Sequence, residues 1–563
     1  MTLLDYVVLV FYVLGTLAVG FYFVRRNRST SEMFAAGGAS PWWVSGLSGF
    51  MTLKSAGTFV VWGGMAYREG LVAVTLTTSI GISAILVGLF VAGRWRQIGV
   101  KTPAEFIELR FGRAAVQLYT WSMMAVQIVS TGVALYSLSV MLVALAPLEP
   151  GNPLRDPATG LLSLPVVVVF FGAVVVTYTI AGGLWAVLMT DVLQFVVLQL
   201  AVLFLIPLMA LRLTDTPELA PLPDQFWQPL SSHYTLPFLV GWIAVHFFRV
   251  GAEWPFAQRF ICVPSQRDAR WSAYLFGALY LINPALWLAP PLMFRLLDST
   301  ANPEQAYIMA SKAVLPAGMM GLMMAAMFSA TASAISGQVN VFAGVLTEQF
   351  YRRLINPEAS ESQAVRAGRL FTFLLGLALV AVALLIPLVG GAQKVILALT
   401  GLMFGPLMAP TIWGLLGGRI GLRSVVATAG ISFAAGLIVK FGLPDGSWLQ
   451  QWTTDNPRVT DIILGALLPV LILTAAQLLG RSVKPGWARI EARAADYTPT
   501  VVDASHADHS PVEVMSLSLS VTGSLMLLLA VVNQEGRMAL AGFGCCMLLL
   551  ALSARRIAAR RTA

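Results

Sequence analysis

Charge is what this sequence has least of. Only 11% of its 563 residues are Asp, Glu, Lys or Arg, 57% are hydrophobic, and the mean hydropathy is +0.77. Soluble domains carry roughly 25% charged residues. A water-exposed globular body of this size is therefore excluded, because the polar surface needed to cover it is missing. Cysteine is scarce as well. The three present (Cys262, Cys545 and Cys546) sit in or beside apolar runs, which excludes a disulfide framework and offers no metal spacing. The four histidines (His233, His246, His506 and His509) form no ligand motif. No run assembles a nucleophile, base and metal set, so an enzyme is not expected. The opening MTLLD lacks the basic stretch of a cleaved leader, and residues 4–24 are expected to be a mature first span.

What the chain does have is apolar length. About fifteen hydrophobic runs, from 4–24, 41–66 and 70–93 through 184–212, 235–257, 271–296 and 315–347 to 513–532 and 537–554, are of membrane-spanning character. They predict an all-α polytopic membrane protein; the strands of a membrane barrel are about half as long and alternate with period two. Basic loops mark the cytoplasmic side. RRNR (25–28), RWRQIGVK (94–101), YRR (351–353), RSVKPGWARIEAR (481–493) and RRIAARR (555–561) fall on one side. The acidic or neutral TDTPELAPLPD (214–224) and DSTANPEQ (298–305) fall on the other. This arrangement places the N-terminus outside and the C-terminus in the cytoplasm. The net charge of +9 is thus a topology signal and calls for no nucleic acid. The expected partners are the lipid bilayer and a small solute, with no obligate protein partner. EARAADYTPTVVDASHADHSP (491–511) reads as an unstructured cytoplasmic linker before the last two helices.

A few charges nonetheless fall within apolar runs, where they are costly and usually face a protein interior or cavity. Lys54 is the only charged residue between Glu32 and Arg68. Asp191 lies early in run 184–212. His246, Arg249 and Glu253 share one helix face at spacings i, i+3 and i+7. Tyr280 and Asn283 add polar groups. Arg249 and Glu253 either line a site, neutralise each other across a turn, or reach toward an interface. Around Lys54 stand Gly46, Gly49 and Gly57 with Ser48, Thr52, Ser55 and Thr58. Such residues let a membrane helix break and expose carbonyls to an ion, or else let helices pack closely. In run 315–347, Ser329, Ser333, Ser336 and Asn340 recur at helical spacing beside Ala330, Ala334 and Gly337. That face offers hydroxyls to a hard cation, or simply close packing.

Five stretches, in order, resemble the sodium:solute symporter family over roughly residues 1–440. They are TSEMFAAGGASPWWVSGLSG (30–49), KTPAEFIELRFG (101–112), AGGLWAVLMTDVLQ (181–194), QRF (258–260) and SATASAISGQVNVFAGVLTEQFYRR (329–353). The last ends in Glu348–Gln349 where the family has an E-D pair.

The resemblance implies a LeuT-like fold with a 5+5 inverted repeat. An extra N-terminal helix and loop would occupy 1–40, the first repeat 41–212 and the second 235–417. About four peripheral helices would follow in 418–563, with the linker near 481–512. It implies a secondary active transporter in the cell inner membrane, moving a small polar organic solute by alternating access. The family's common sodium position falls on carbonyls of Met51, Lys54 and Ala330 and on hydroxyls at Ser333 and Ala334, of which Ala334 has none. A second cation or proton position falls on Asp191, Ser333 and Ser336, with Gly337 in place of a further hydroxyl. The solute pocket falls on Ser55, Thr58, Thr77, Arg249, Glu253, Phe256 and Tyr280. No organic cofactor is implied, only Na+ or H+ as coupling ion. Two readings of Lys54 stay open. Its ammonium pairs with Asp191 and alters the sodium site, giving proton-coupled or cation-independent transport; or it lends only its carbonyl and sodium still binds. A membrane solute sensor is the remaining alternative.

Overall fold

The computed structural model describes residues 2–24, 38–181, 184–499, 510–533 and 537–562. All of 25–28 and parts of the stretches 30–49, 181–194 and 491–511 singled out above therefore lie outside the described residues. Within them the protein is helical, and its β-structure is two isolated bridges in one loop, Pro147 with Leu161 and Arg155 with Leu162. Among the described residues, nine helices are long and apolar enough to cross a membrane, or ten if one bent pair is counted as a span. Others are shorter or interrupted, among them Leu422–Leu437.

Ten helices position the site: α1 (Leu3–Val24), α2 (Trp42–Thr52), α3 (Gly63–Glu69), α4 (Leu71–Phe90), α5 (Arg113–Ala144), α6 (Leu184–Thr214), α7 (Leu236–Ala252), α8 (Trp254–Ile261), α9 (Gln266–Leu297) and α10 (Met319–Val345). Small residues set the spacing where these helices cross. A Cβ on Gly46 of α2 would sit 2.6 Å from Ser272 O of α9, and one on Gly81 of α4 would sit 2.7 Å from Gly277 O of α9. Those approaches bring backbones into van der Waals contact, the main attraction available between helices in lipid. Helix α10 is almost wholly enclosed. Its first turn is capped by Asp5 of α1, whose Oδ1 accepts from the N–H groups of Gly318 (2.7 Å) and Gly321 (3.0 Å). The carboxylate satisfies donors that a helix start leaves free.

Two helices are broken, for different reasons. Run 41–66 leaves the helix at Leu53–Ser55 and resumes through a π turn, Thr58–Trp62, into α3. Hydroxyls take over the freed backbone groups. Thr58 Oγ1 accepts from Ser55 N (3.3 Å) and donates to Leu53 O (3.3 Å), while Ser55 Oγ accepts from Gly57 N (3.1 Å). From α10, Thr331 Oγ1 accepts from Ala56 N at 2.8 Å. Short side-chain hydroxyls compete with the helix ladder in this way. The second break, at Glu253, bends α7 and α8 by 56°. Here Pro255 has no N–H to continue the ladder to Gly251, and the indole of Trp95 donates to the Gly251 carbonyl instead, at 2.7 Å.

The segment expected to be an unstructured linker from 491 onward begins as a helix, Pro485–Ala495. It docks on the basic loops by ion pairs of Glu491 with Arg94 and of Arg493 with Glu105 (2.9 Å), and Tyr497 donates to Pro264 O (3.1 Å). Trp487 lies 5.5 Å from Arg94 and 5.7 Å from Arg110, so packing as well as charge orders it.

Candidate functional site

The first break opens onto a cavity with an empty space of about 930 Å³ including its mouth, and the helix that leads into the second break forms part of its wall. The first break contributes Lys54, Ser55 and Thr58, α4 contributes Thr77, and α9 contributes Tyr280. From α7 come His246 and Arg249, the residues just before the second break. Five of the seven expected solute residues, Ser55, Thr58, Thr77, Arg249 and Tyr280, thus line the wall.

The other two do not. Glu253 is buried behind the wall, where its Oε2 accepts from Arg249 Nε (2.8 Å) and its Oε1 from Gln127 of α5. Of the readings offered by the spacing, mutual neutralisation of Arg249 and Glu253 is the one formed. Phe256 is stacked on Phe276, centroids 5.8 Å apart, and packs α8 against α9. The sequence reading did not include Gln127, Gln338 or Thr400, which also line the cavity. Gln127 left a visible signal, an amide in the middle of an apolar run.

For Lys54 two readings stood open. Its side chain is buried, and Nζ lies 4.2 Å from the ring centroid of Tyr280, 4.3 Å from that of Trp287 and 4.9 Å from that of Phe50. Among the described residues the ion pair with Asp191, one of those two readings, is not formed. Asp191 is already satisfied, accepting from Ser48 Oγ (2.6 Å) and Ser333 Oγ (2.8 Å). Ser48 Oγ in turn accepts from Arg259 Nε (3.2 Å), and Arg259 Nη1 donates to Pro255 O (3.1 Å). The cation coupled to Asp191 is therefore the guanidinium of Arg259. The break turns the lysine toward the aromatic faces of α2 and α9, whose quadrupoles attract an ammonium.

A second, much smaller cavity adjoins this carboxylate, lined by Met51, Asp191, Arg259, Ser333 and Ala334 among others. Three of the five residues expected at the common sodium position lie there. Ala330 is buried nearby on α10, and Lys54 faces its ring cage. Of the second expected position, Asp191 and Ser333 meet, whereas the Ser336 hydroxyl donates to Ser333 O (3.0 Å) within its own helix. Among the described residues no group of three or more His, Cys, Asp or Glu side chains forms a metal centre.

Comparison with known proteins adds an independent line. A sequence profile described as the sodium:solute symporter family matches residues 33–217 and 274–418. A sodium/glucose cotransporter of Vibrio parahaemolyticus is 27% identical over 486 residues, spanning 78% of this chain and 86% of the relative. The sodium/sialic acid symporter NanT of Aliivibrio fischeri is 25% identical over 470 residues, spanning 78% of this chain and 88% of its own. Among solved structures, the substrate-bound outward-open state of a Na+-coupled sialic acid symporter superposes with a TM-score of 0.68. That likeness, at 23% identity, covers 86% of this chain and 99% of the other, and it shows a shared LeuT-like fold.

Proposed function

This chain belongs to the sodium:solute symporter family and is a secondary active solute transporter of the membrane, and we propose that its two cavities divide the work. The larger cavity takes a small polar organic solute. The smaller one takes the coupling cation, sodium by analogy with the relatives' names. The observation that carries this reading is that the first helix break meets polar residues of α4, α7 and α9 on the larger cavity. Broken helices expose backbone and hydroxyl groups only where they line a cavity. They also give each half of the molecule a joint about which it can turn, as alternating access requires.

The smaller cavity suits a hard cation in composition. The Asp191 carboxylate and the Ser333 hydroxyl bring oxygen ligands to its wall, and Met51 lines it beside them. Ala334 supplies no hydroxyl, so the carboxylate carries most of the attraction. We place residues 41–212 and 235–417 as the two inverted repeats. The basic loops fit a plasma membrane orientation with the N-terminus outside. A second reading, proton-coupled or cation-independent transport, is favoured by the missing hydroxyl at Ala334 and by the fixed charge of Arg259 on the same wall.

Uptake into proteoliposomes separates the two. A solute panel is offered with and without an imposed sodium gradient, and accumulation above the outside concentration is read. Saturable sodium activation is expected. Asp191→Asn should raise the half-saturating sodium concentration by about tenfold or more, the worth of one charge-assisted contact. Accumulation that ignores sodium but follows a pH gradient would establish the second reading in its place.

A further inference from the structure

The wall of the larger cavity carries an unbalanced positive charge, and we propose that this charge selects the solute: the ammonium of Lys54 is the counter-charge of a carboxylate on the transported molecule. The inference rests on the transport reading above and narrows its solute class.

The titratable residues on the wall are Lys54, His246, Arg249 and Tyr280, and no acidic side chain is among them. Behind the wall, the Glu253 carboxylate is committed to Arg249 and Gln127. Its one negative charge neutralises one guanidinium. The Asp191 carboxylate is committed to Ser48 and Ser333 and is coupled through Ser48 to Arg259. Lys54 is thus left over in the charge count, and among the described residues it has no hydrogen-bond or ion-pair partner. Its neighbours are rings. Ring faces attract an ammonium but offer no lone pair, so no described residue accepts from its three N–H donors, which are left to whatever fills the cavity. A buried ammonium in that state is unfavourable. An entering carboxylate supplies both the missing charge and the missing acceptors.

The rest of the wall agrees with this assignment. Arg249 binds Glu253 through Nε alone, which leaves its terminal nitrogens to face the cavity it lines. Ser55 and Thr58 place hydroxyls one and four residues beyond Lys54 on the same wall. The three-ring box also argues against a cationic solute. Rings in this arrangement would hold a methylated ammonium, but the chain's own lysine fills them.

The test uses purified full-length protein in lipid nanodiscs, read by thermal shift and by quenching of tryptophan fluorescence, since Trp287 is one wall of the box. The probes are matched pairs that differ in charge: D-glucuronate with D-glucose, L-lactate with L-lactamide, and N-acetylneuraminate with its methyl ester. Choline serves as the cation. The expected result is that at least one carboxylate binds while its uncharged partner and choline do not. Lys54→Gln should then weaken that carboxylate by about tenfold or more, and Lys54→Arg should restore most of the loss. The proposal is overturned if an uncharged member binds as well as its partner, if choline binds, if Lys54→Gln leaves carboxylate affinity unchanged, or if no carboxylate binds wild-type protein. The pair comparison on wild-type protein stands even where a variant fails to fold. Proteoliposome uptake keeps the two readings apart. Accumulation of an uncharged solute sinks the anion assignment and leaves transport standing, whereas bound solutes that are never accumulated count against transport itself.

Discussion

Lys54 and Arg259 are buried to the same degree, each 3% exposed, yet they are held in opposite ways. Arg259 sits in a polar network, donating to Ser48 and to the Pro255 carbonyl, with Asp191 one hydroxyl away. Lys54 sits on three aromatic rings and has no acceptor. The first arrangement completes itself within the protein. The second is complete only when something enters. Buried charge alone does not distinguish a structural ion from a functional one; the distinction lies in whether the protein provides its partners.

The largest expected effect tests that contrast directly. Arg259→Leu leaves the Asp191 carboxylate buried without a cation, a change that typically costs about 3–5 kcal/mol. Lys54→Met removes a charge that had no partner and keeps a chain of similar length on the same rings. Its stability should stay within about 1 kcal/mol of wild type, with any shift upward. Thermal or denaturant unfolding of both variants in the same lipid checks this. Comparable losses in the two would abolish the distinction drawn between them.

A smaller effect bears on the break that presents Lys54. Thr331 of α10 accepts from the Ala56 N–H at 2.8 Å, among the described residues the one hydrogen bond to this break that comes from another helix. Thr331→Val keeps the shape and removes the acceptor, so a buried donor is left unpaired. A loss of about 1–3 kcal/mol is expected. Solute binding should weaken as well, because Ser55 and Thr58 lose a fixed backbone. Thr331→Ser keeps the hydroxyl and should retain binding. If Thr331→Val binds solute normally, the break is held by its own hydroxyls and α10 only packs against it.

How much of this was readable beforehand divides along one physical line. Local chemistry was readable. The glycine and hydroxyl residues from Gly46 to Thr58 marked a stretch fit either to break or to pack closely, and the lone Lys54 in a long apolar run pointed to an interior position. Partners distant in sequence were not. Lys54 faces Tyr280 and Trp287, more than two hundred residues away, only because Gly46 and Gly81 let α9 come close. Asp191 was recognised as a site residue, but its link to Arg259 runs through Ser48, a hydroxyl that sequence alone could assign equally to packing. Gln127 was visible as one amide in an apolar helix, but that alone says nothing of the carboxylate it meets. The helix Pro485–Ala495 was hidden for a similar reason. Its order comes from Arg94, Glu105 and Arg110, contacts that a short charged stretch does not reveal.

The smallest expected effect calibrates the other two. Glu108 lies in a loop helix, Pro103–Phe111, and binds Arg353 through both oxygens, at 3.0 and 3.2 Å. Arg113 adds a longer contact at 3.4 Å. The hydrogen bonds from Arg353 come first among the causes that hold its carboxyl below the usual range, with the charges of Arg353 and Arg113 behind them. A group whose acidity is strengthened by folding stabilises the fold above its ordinary pKa, about 4.3 for Glu. That contribution fades as pH falls through the ordinary value and below it. Since the pair is solvent-exposed, Glu108→Gln should cost well under about 1 kcal/mol at neutral pH. It should also flatten the decline of melting temperature between about pH 4.5 and 3. Added salt should shrink the difference further, whereas it should leave the loss in Arg259→Leu nearly intact, because buried charges are screened far less. If Glu108→Gln proves as damaging as Arg259→Leu, or if salt erases both losses alike, burial is not what gives the Arg259 network its weight, and Lys54 would have to be reconsidered on the same ground.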